Sequence, residues 1–315
     1  MQIVNTLAAQ RDWENLWSLR AESDALDRSD LALWTVTAHC DHVLALMAPA
    51  TWVGRLFENR QSFSTLGPLT EIAAVNHSWR DLSEVLPPGP EAEIVAYERV
   101  VRGDLDVAVD ERLDTSVLNL PFALAPWEPA YPRARYTSSA AHFPAPTAPK
   151  FGSATTLPGA GEAIGDPHVT EVFRELVAAW TTASTGHAHI ITVEGNHLSA
   201  VAALGFRTPS VVEIGAAQAF ALMAWAGASS GSQGHRRGMA YGRQGAWQCA
   251  AAIAGLAEEW PISSDEMGEV VNFLKWYAWQ PDDGTDEPAT WQLRLAVFDP
   301  EEELGMAIDA VDTCR

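Results

Sequence analysis

"TGHAHIITVEGNHLSAVAAL", residues 185–204, decides how the second half of the chain is read. A run containing Ile190, Ile191, Thr192 and Val193 favours an extended backbone, Gly195-Asn196 favours a two-residue turn, and a second apolar run follows. The stretch therefore predicts a β-hairpin. Side chains alternate across a strand, so His187, His189, Ile191 and Val193 fall on one face with Leu198, Ala200, Ala202 and Leu204, while Glu194 and His197 meet on the other. On this reading the two histidines end the apolar, core-facing side.

Strong signals lie on either side. Upstream, Asp166 caps and Pro167 opens a helix whose apolar residues Val169, Val172, Phe173, Leu176, Val177 and Trp180 keep helical spacing. Downstream come a short strand "SVVEI", a helix near 216–226, a Gly/Ser-rich connection, and a helix over about 237–257. Ser264 is expected to cap a helix through Leu274. "KWYAWQP" then pairs with "WQLRLAVFDP" across the acidic turn "DDGTDE", and Asp299, Pro300 and three glutamates predict a final helix. Two hairpins with helices between them define an α+β class, with an antiparallel or mixed sheet covered by helices in the C-terminal half.

The N-terminal half reads as mostly helical. Leu33, Trp34, Val36, Leu44 and Met47 mark a helix with Ser29 or Asp30 as its cap, and Trp13 and Trp17 share a face of an earlier one. "TWVGRLFENR" and "LTEIAAVNHSWRDLSEVL" are further helices, whereas "EAEIVAYERVVRGDLDVAV" suits helix or strand. Residues 121–165 are rich in Pro, Gly and small residues and form the natural boundary, with Trp127, Tyr131 and Tyr136 packing part of it down and placed to line a pocket between the halves. The expected organisation is a helical region at 1–120, a connection packed on the surface at 121–165, and an α+β domain at 166–315.

Composition narrows the functions. The chain has 315 residues, 41 acidic against 20 basic, with 18 Arg and only 2 Lys among the latter. An acidic surface repels phosphate backbones and anionic lipid, so neither nucleic acid nor membrane is an expected partner. Cys40, Cys249 and Cys314 lack metal-cage or disulfide spacing, and no leader or apolar span is evident, so a cytoplasmic location is expected.

Two constellations carry chemistry. His187 and His189, with Glu194 and His197 after them, resemble the HxH-plus-glutamate element of cupin metal sites, but only over this short stretch. The second cupin motif is missing, so the fold is not carried over. The hairpin parity separates His197 and Glu194 from the pair, and the partners nominated instead are His39 and His42 of "HCDH", one helical turn apart; four imidazoles would hold a divalent metal such as zinc. The second constellation is "GASSGSQGHRRGMAYGRQGAWQCAAAIAGL", residues 227–256. Gly238, Gly242 and Ala246 recur every four residues and would let another backbone approach, while Arg236, Arg237 and Arg243, with His235, form a basic knot suited to a phosphate or carboxylate. "GASSG" matches GxSxG, but in the wrong structural context for Ser229 to act as a nucleophile.

"PWEPAYP", "ITVEGNHLSAVAALG" and "GRQGAWQCAAAIAGL" together resemble an actinobacterial protein family of unknown function. The resemblance covers most of the chain and implies no reaction. The leading expectation is a protein that binds a small anionic ligand, with or without turning it over. The alternatives are an acidic immunity or regulatory protein that neutralises a basic protein partner, and a histidine-ligated metalloenzyme.

Overall fold

In the computed structural model, described residues are 2–25, 31–58, 62–281 and 291–313. The Ser29 or Asp30 cap, the "DDGTDE" turn and Cys314 lie outside them. Backbone contacts divide the chain into two units, residues 1–124 with 133–144, and residues 125–132 with 145–315. The Pro-rich segment is thus shared, Trp127 and Tyr131 belonging to the second unit and Tyr136 to the first.

The first unit is helical: α1 (Gln2–Ala9), α2 (Trp13–Ala25), α3 (Leu31–Met47), α4 (Ala50–Glu58), α5 (Leu69–Asn76), α6 (Trp79–Leu82) and α7 (Pro90–Val101), followed by a two-residue ladder of β1 (Arg135–Tyr136) and β2 (Ala141–His142). Helix α3 supplies the centre, its Cys40, Val43 and Leu44 buried with Leu16, Val53, Leu56, Ile72 and Val95. The ambiguous 91–109 stretch is α7 as far as Val101 because Pro90 opens it, Glu91 and Glu93 sit in its first turn, and Ala92, Val95, Ala96 and Val100 bury one face. Burial pushes the Cys40 thiol up to about 12, with the neighbouring Asp41 adding to the shift. It is a packing residue rather than a nucleophile.

The second unit contains β3 (Ala163–Ile164), α8 (Pro167–Leu176), α9 (Ala178–Thr181), β4 (His187–Glu194), α10 (His197–Ala203), β5 (Ser210–Ile214), α11 (Ala216–Ala228), α12 (Met239–Ile253), α13 (Ser264–Phe273), β6 (Lys275–Gln280), β7 (Trp291–Asp299) and β8 (Leu304–Asp312). Its sheet runs β3-β4-β8-β7-β6-β5 and every pairing is antiparallel. Helices α8 and α11 lie against one face, and α10 packs Ala200 and Val201 on the other over Val193, Ala296 and Ala307. Helix α12 packs on α11, where a Cβ at Gly242 would strike the Ala224 carbonyl. The small residues at four-residue spacing serve that approach.

Two expectations are corrected. The 187–204 stretch is a strand followed by a helix, not a hairpin. Asn196 accepts hydrogen bonds from the Leu198 and Ser199 amides and caps α10, and alanines at 200, 202 and 203 favour helix over strand. Along its whole length β4 pairs with β8, with His189 opposite Asp309, and the two-residue β3 lies on its other side. The predicted last helix is in fact the β7–β8 turn and β8 itself: Asp299 accepts from the Glu301 and Glu302 amides, Glu303 takes φ 54°, and the almost wholly buried run 304–312 pairs on both sides.

Candidate functional site

His187 and His189 project from the same face of β4 with ring centroids 5.2 Å apart. Both are exposed, because α10 covers that face only at its Ile191 and Val193 end. Strand β8 brings the buried Asp309 opposite His189, and β7 brings Arg294 opposite Asp309. Arg294 Nε donates to Asp309 Oδ1 over 2.8 Å, and His187 Nε2 lies 3.9 Å from Asp309 Oδ2. Neither Asp309 nor Arg294 was a candidate in the sequence. They become visible once 304–312 is read as a strand alternating about the sheet.

His39 and His42 belong to the first unit, with ring centroids 6.3 Å apart. His39 Nε2 meets Asn5 Oδ1 at 3.1 Å, while His42 Nε2 meets the Thr137 carbonyl at 2.7 Å and its Nδ1 meets Ser64 Oγ at 3.2 Å. Burial lowers the pKa of both rings. Each pair of imidazoles has neighbours within its own unit, and among the described residues no three His, Cys, Asp or Glu side chains gather as a metal ion would require.

The arginine segment is built differently from an anion clamp. Arg243 is wholly buried on α12, where its Nε and Nη2 each donate over 2.7 Å to the two oxygens of Glu128. Glu128 also accepts from the Tyr131 hydroxyl, the Trp247 indole and the Ala125 amide. Burial alone would raise the Glu128 carboxyl, but the Arg243 guanidinium and these donors hold it below its ordinary value. Arg237 donates to the Glu175 carbonyl and lies over the Tyr241 ring, Arg236 is buried, and His235 is exposed. The loop before them is fixed by Asp312, which accepts from Ser184 Oγ and from the Ser232 amide and hydroxyl, while Ser229 receives the Trp180 indole N–H. The serine of the GxSxG match is therefore a buried structural hydroxyl.

A cavity of about 190 Å³ lies at the end of the sheet where β6 finishes and β7 starts. The irregular segment 145–151 walls it with Pro146, Pro149 and Phe151, and Gln218 of α11 anchors that segment by donating to the Thr147 carbonyl. Helix α11 contributes Leu222 and Trp225, and the strands contribute Ala278, Gln280, Leu293, Gln292 and Arg294. The Trp225 indole packs edge-on to Trp180 at 6.1 Å, and its Nε1 is buried without a hydrogen-bond acceptor among the described residues. Buried indole N–H groups are normally satisfied, so the unmet donor singles out Trp225 among the residues that line the cavity. No residue pattern announces it, since Trp225 sits in the apolar run after Gln218 of α11.

An α+β protein with a helical first unit, and a second unit whose antiparallel sheet carries a donor-lined cavity, is the class these features define. The chain belongs to a family of unknown function, DUF6183, whose model matches residues 1–314. No curated protein and no solved structure matches it. Among the described residues no helix is long and apolar enough to cross a membrane.

Proposed function

We propose that the second unit binds a small aromatic carboxylate in the cavity at the β6–β7 end of the sheet. The observation that carries this reading is Trp225, a lining residue whose buried indole N–H has no acceptor among the described residues. Leaving such a donor unmet costs about 1–3 kcal/mol, which a ligand acceptor would recover. Polar groups around it support an acid rather than a base: two amides and the Arg294 guanidinium, whose Nε is held by Asp309, line the cavity, and among its described lining residues there is no Asp or Glu, in a chain with 41 acidic residues. Size supports one ring, since a cavity of about 150 Å³ suffices for benzene. The anion site thus moves from Arg236, Arg237 and Arg243 to Arg294 and Trp225.

The test is calorimetric titration and thermal melting with benzoate, benzamide and toluene. Benzoate should bind best and raise the melting temperature, benzamide should follow, and toluene, lacking an acceptor, should be weakest. Trp225→Phe keeps the ring but removes the donor, and should weaken benzoate by roughly tenfold or more. Equal affinities for wild type and Trp225→Phe, or no binding of benzoate at millimolar concentration, would sink the reading.

A further inference from the structure

A separate arrangement lies in the first unit and uses none of the residues that line the cavity. His42 Nε2 faces a carbonyl oxygen, Thr137 O, at 2.7 Å. A carbonyl only accepts, so in the neutral ring Nε2 carries the proton and Nδ1 has the lone pair. Ser64 Oγ, 3.2 Å from that Nδ1, is therefore the donor, and its proton points at a base. Nucleophile, base and an orienting acceptor stand in line, the arrangement that activates a hydroxyl, with a backbone carbonyl in the orienting place.

The surroundings hold this line in position. His42 is 1% exposed, whereas Ser64 is only half-buried, so Ser64 is the more accessible member of the pair. The loop bearing Ser64 is fastened on its N-terminal side by the buried Arg20–Asp41 pair: Asp41 Oδ2 accepts the Phe63 amide and Arg20 donates to Ser62 Oγ. On the other side the Leu66 amide donates to Ser64 Oγ over 3.2 Å, a contact that favours the alkoxide. Directly beside the hydroxyl, Phe63 stacks on Trp34 with centroids 4.6 Å apart, and Trp34 is 40% exposed. That shelf suits a flat apolar group.

We infer that Ser64 and His42 form a nucleophilic dyad that takes the acyl group of small aryl or apolar esters. Ser64 Oγ would add to the ester carbonyl carbon as its proton passes to His42 Nδ1. Collapse of the adduct breaks the bond to the leaving alkoxide, which takes that proton, and Ser64 is left as an acyl ester. Water, deprotonated by Nδ1 in its turn, adds to the acyl carbon, and the carboxylic acid departs as Ser64 recovers its proton. The Nε2–H stays on the Thr137 carbonyl throughout. Burial keeps His42 unprotonated at neutral pH; its titratable neighbours are His39 on the same helix, the Tyr136 ring at 6.1 Å, whose hydroxyl is bound to Glu71, and the paired Asp41 and Arg20.

The full chain is treated with a fluorophosphonate probe and, separately, with p-nitrophenyl acetate, and adducts are mapped by mass spectrometry. The expected result is one adduct per chain, on Ser64, absent in Ser64→Ala, and formed about a hundredfold or more slowly in His42→Gln. An unlabelled Ser64, or labelling at the same rate in His42→Gln, overturns the inference, because a hydroxyl that only ties the loop to α3 gains no reactivity from the ring. Should His42→Gln fail to fold, the wild-type pH profile decides. A rate that rises through one deprotonation below about 6.5 and then levels supports the dyad. A rate that climbs with hydroxide through pH 9 overturns it.

Discussion

Glu128 and Arg243 show how one residue pair can mislead a sequence reading and still organise a core. Three arginines in eight positions of an acidic chain are a true local reversal of charge, but the partner of Arg243 is a carboxylate 115 residues away in sequence. No spacing rule reaches across that interval. The same limit hid Ser64, whose base lies 22 residues earlier, and Trp225, whose isolation is a property of its surroundings. A buried pair contributes little net stability when intact, and breaking it is costly because a charge remains without its partner. Arg243→Met should therefore destabilise the protein by about 3–5 kcal/mol in urea unfolding, while adding Glu128→Gln should recover most of the loss. A single variant within 1 kcal/mol of wild type would show, on the same scale, that the ion pair is not the keystone of the "PWEPAYP" segment.

Among the elements, helices with capping residues were legible and the 187–204 stretch was not. The Asp166 cap and Pro167 are where they were expected, and "SVVEI", "KWYAWQP" and "WQLRLAVFDP" are strands, because their signals are local. Gly195-Asn196 supports a hairpin turn and a helix cap equally well, and the choice depends on β8, which local signals had assigned to a helix. Helix α10 has its own vulnerability. His197 at its start stacks on Tyr277 at 3.4 Å, with Glu213 opposite Tyr277 in the next strand. Burial lowers the His197 pKa to about 4. The unfolded chain takes up this proton near pH 6.5 and the folded chain only near 4. The contribution is therefore complete above 6.5 and is lost as pH falls towards 4. His197→Phe, which keeps the stack without titrating, should lose less melting temperature between pH 6.5 and 4 than wild type; parallel curves would remove His197 from the acid response.

At the scale of the whole molecule, the formal charge of −21 sets the field that any ligand crosses. It opposes the proposed carboxylate at long range, and salt screens it, the Debye length falling from about 30 Å at 0.01 M to about 8 Å at 0.15 M. Benzoate affinity should rise about two- to threefold over that range while neutral benzamide stays unchanged. A fall in benzoate affinity with salt would mean that local attraction at Arg294 outweighs the global charge.

The position of β8 has a consequence for synthesis. It is the last strand in sequence, yet it lies between β4 and β7. While a ribosome makes the roughly 110 residues from Glu194 to Leu304, at about 5–20 residues per second, β4 lacks its main partner on that side. For a time on the order of ten seconds the nascent chain carries an open β edge beside unpacked apolar helices, and this window belongs to chaperones or to aggregation. Strands β5, β6 and β7 can pair before β8 is made, but the sheet becomes continuous only once residues 304–312 join β4 to β7.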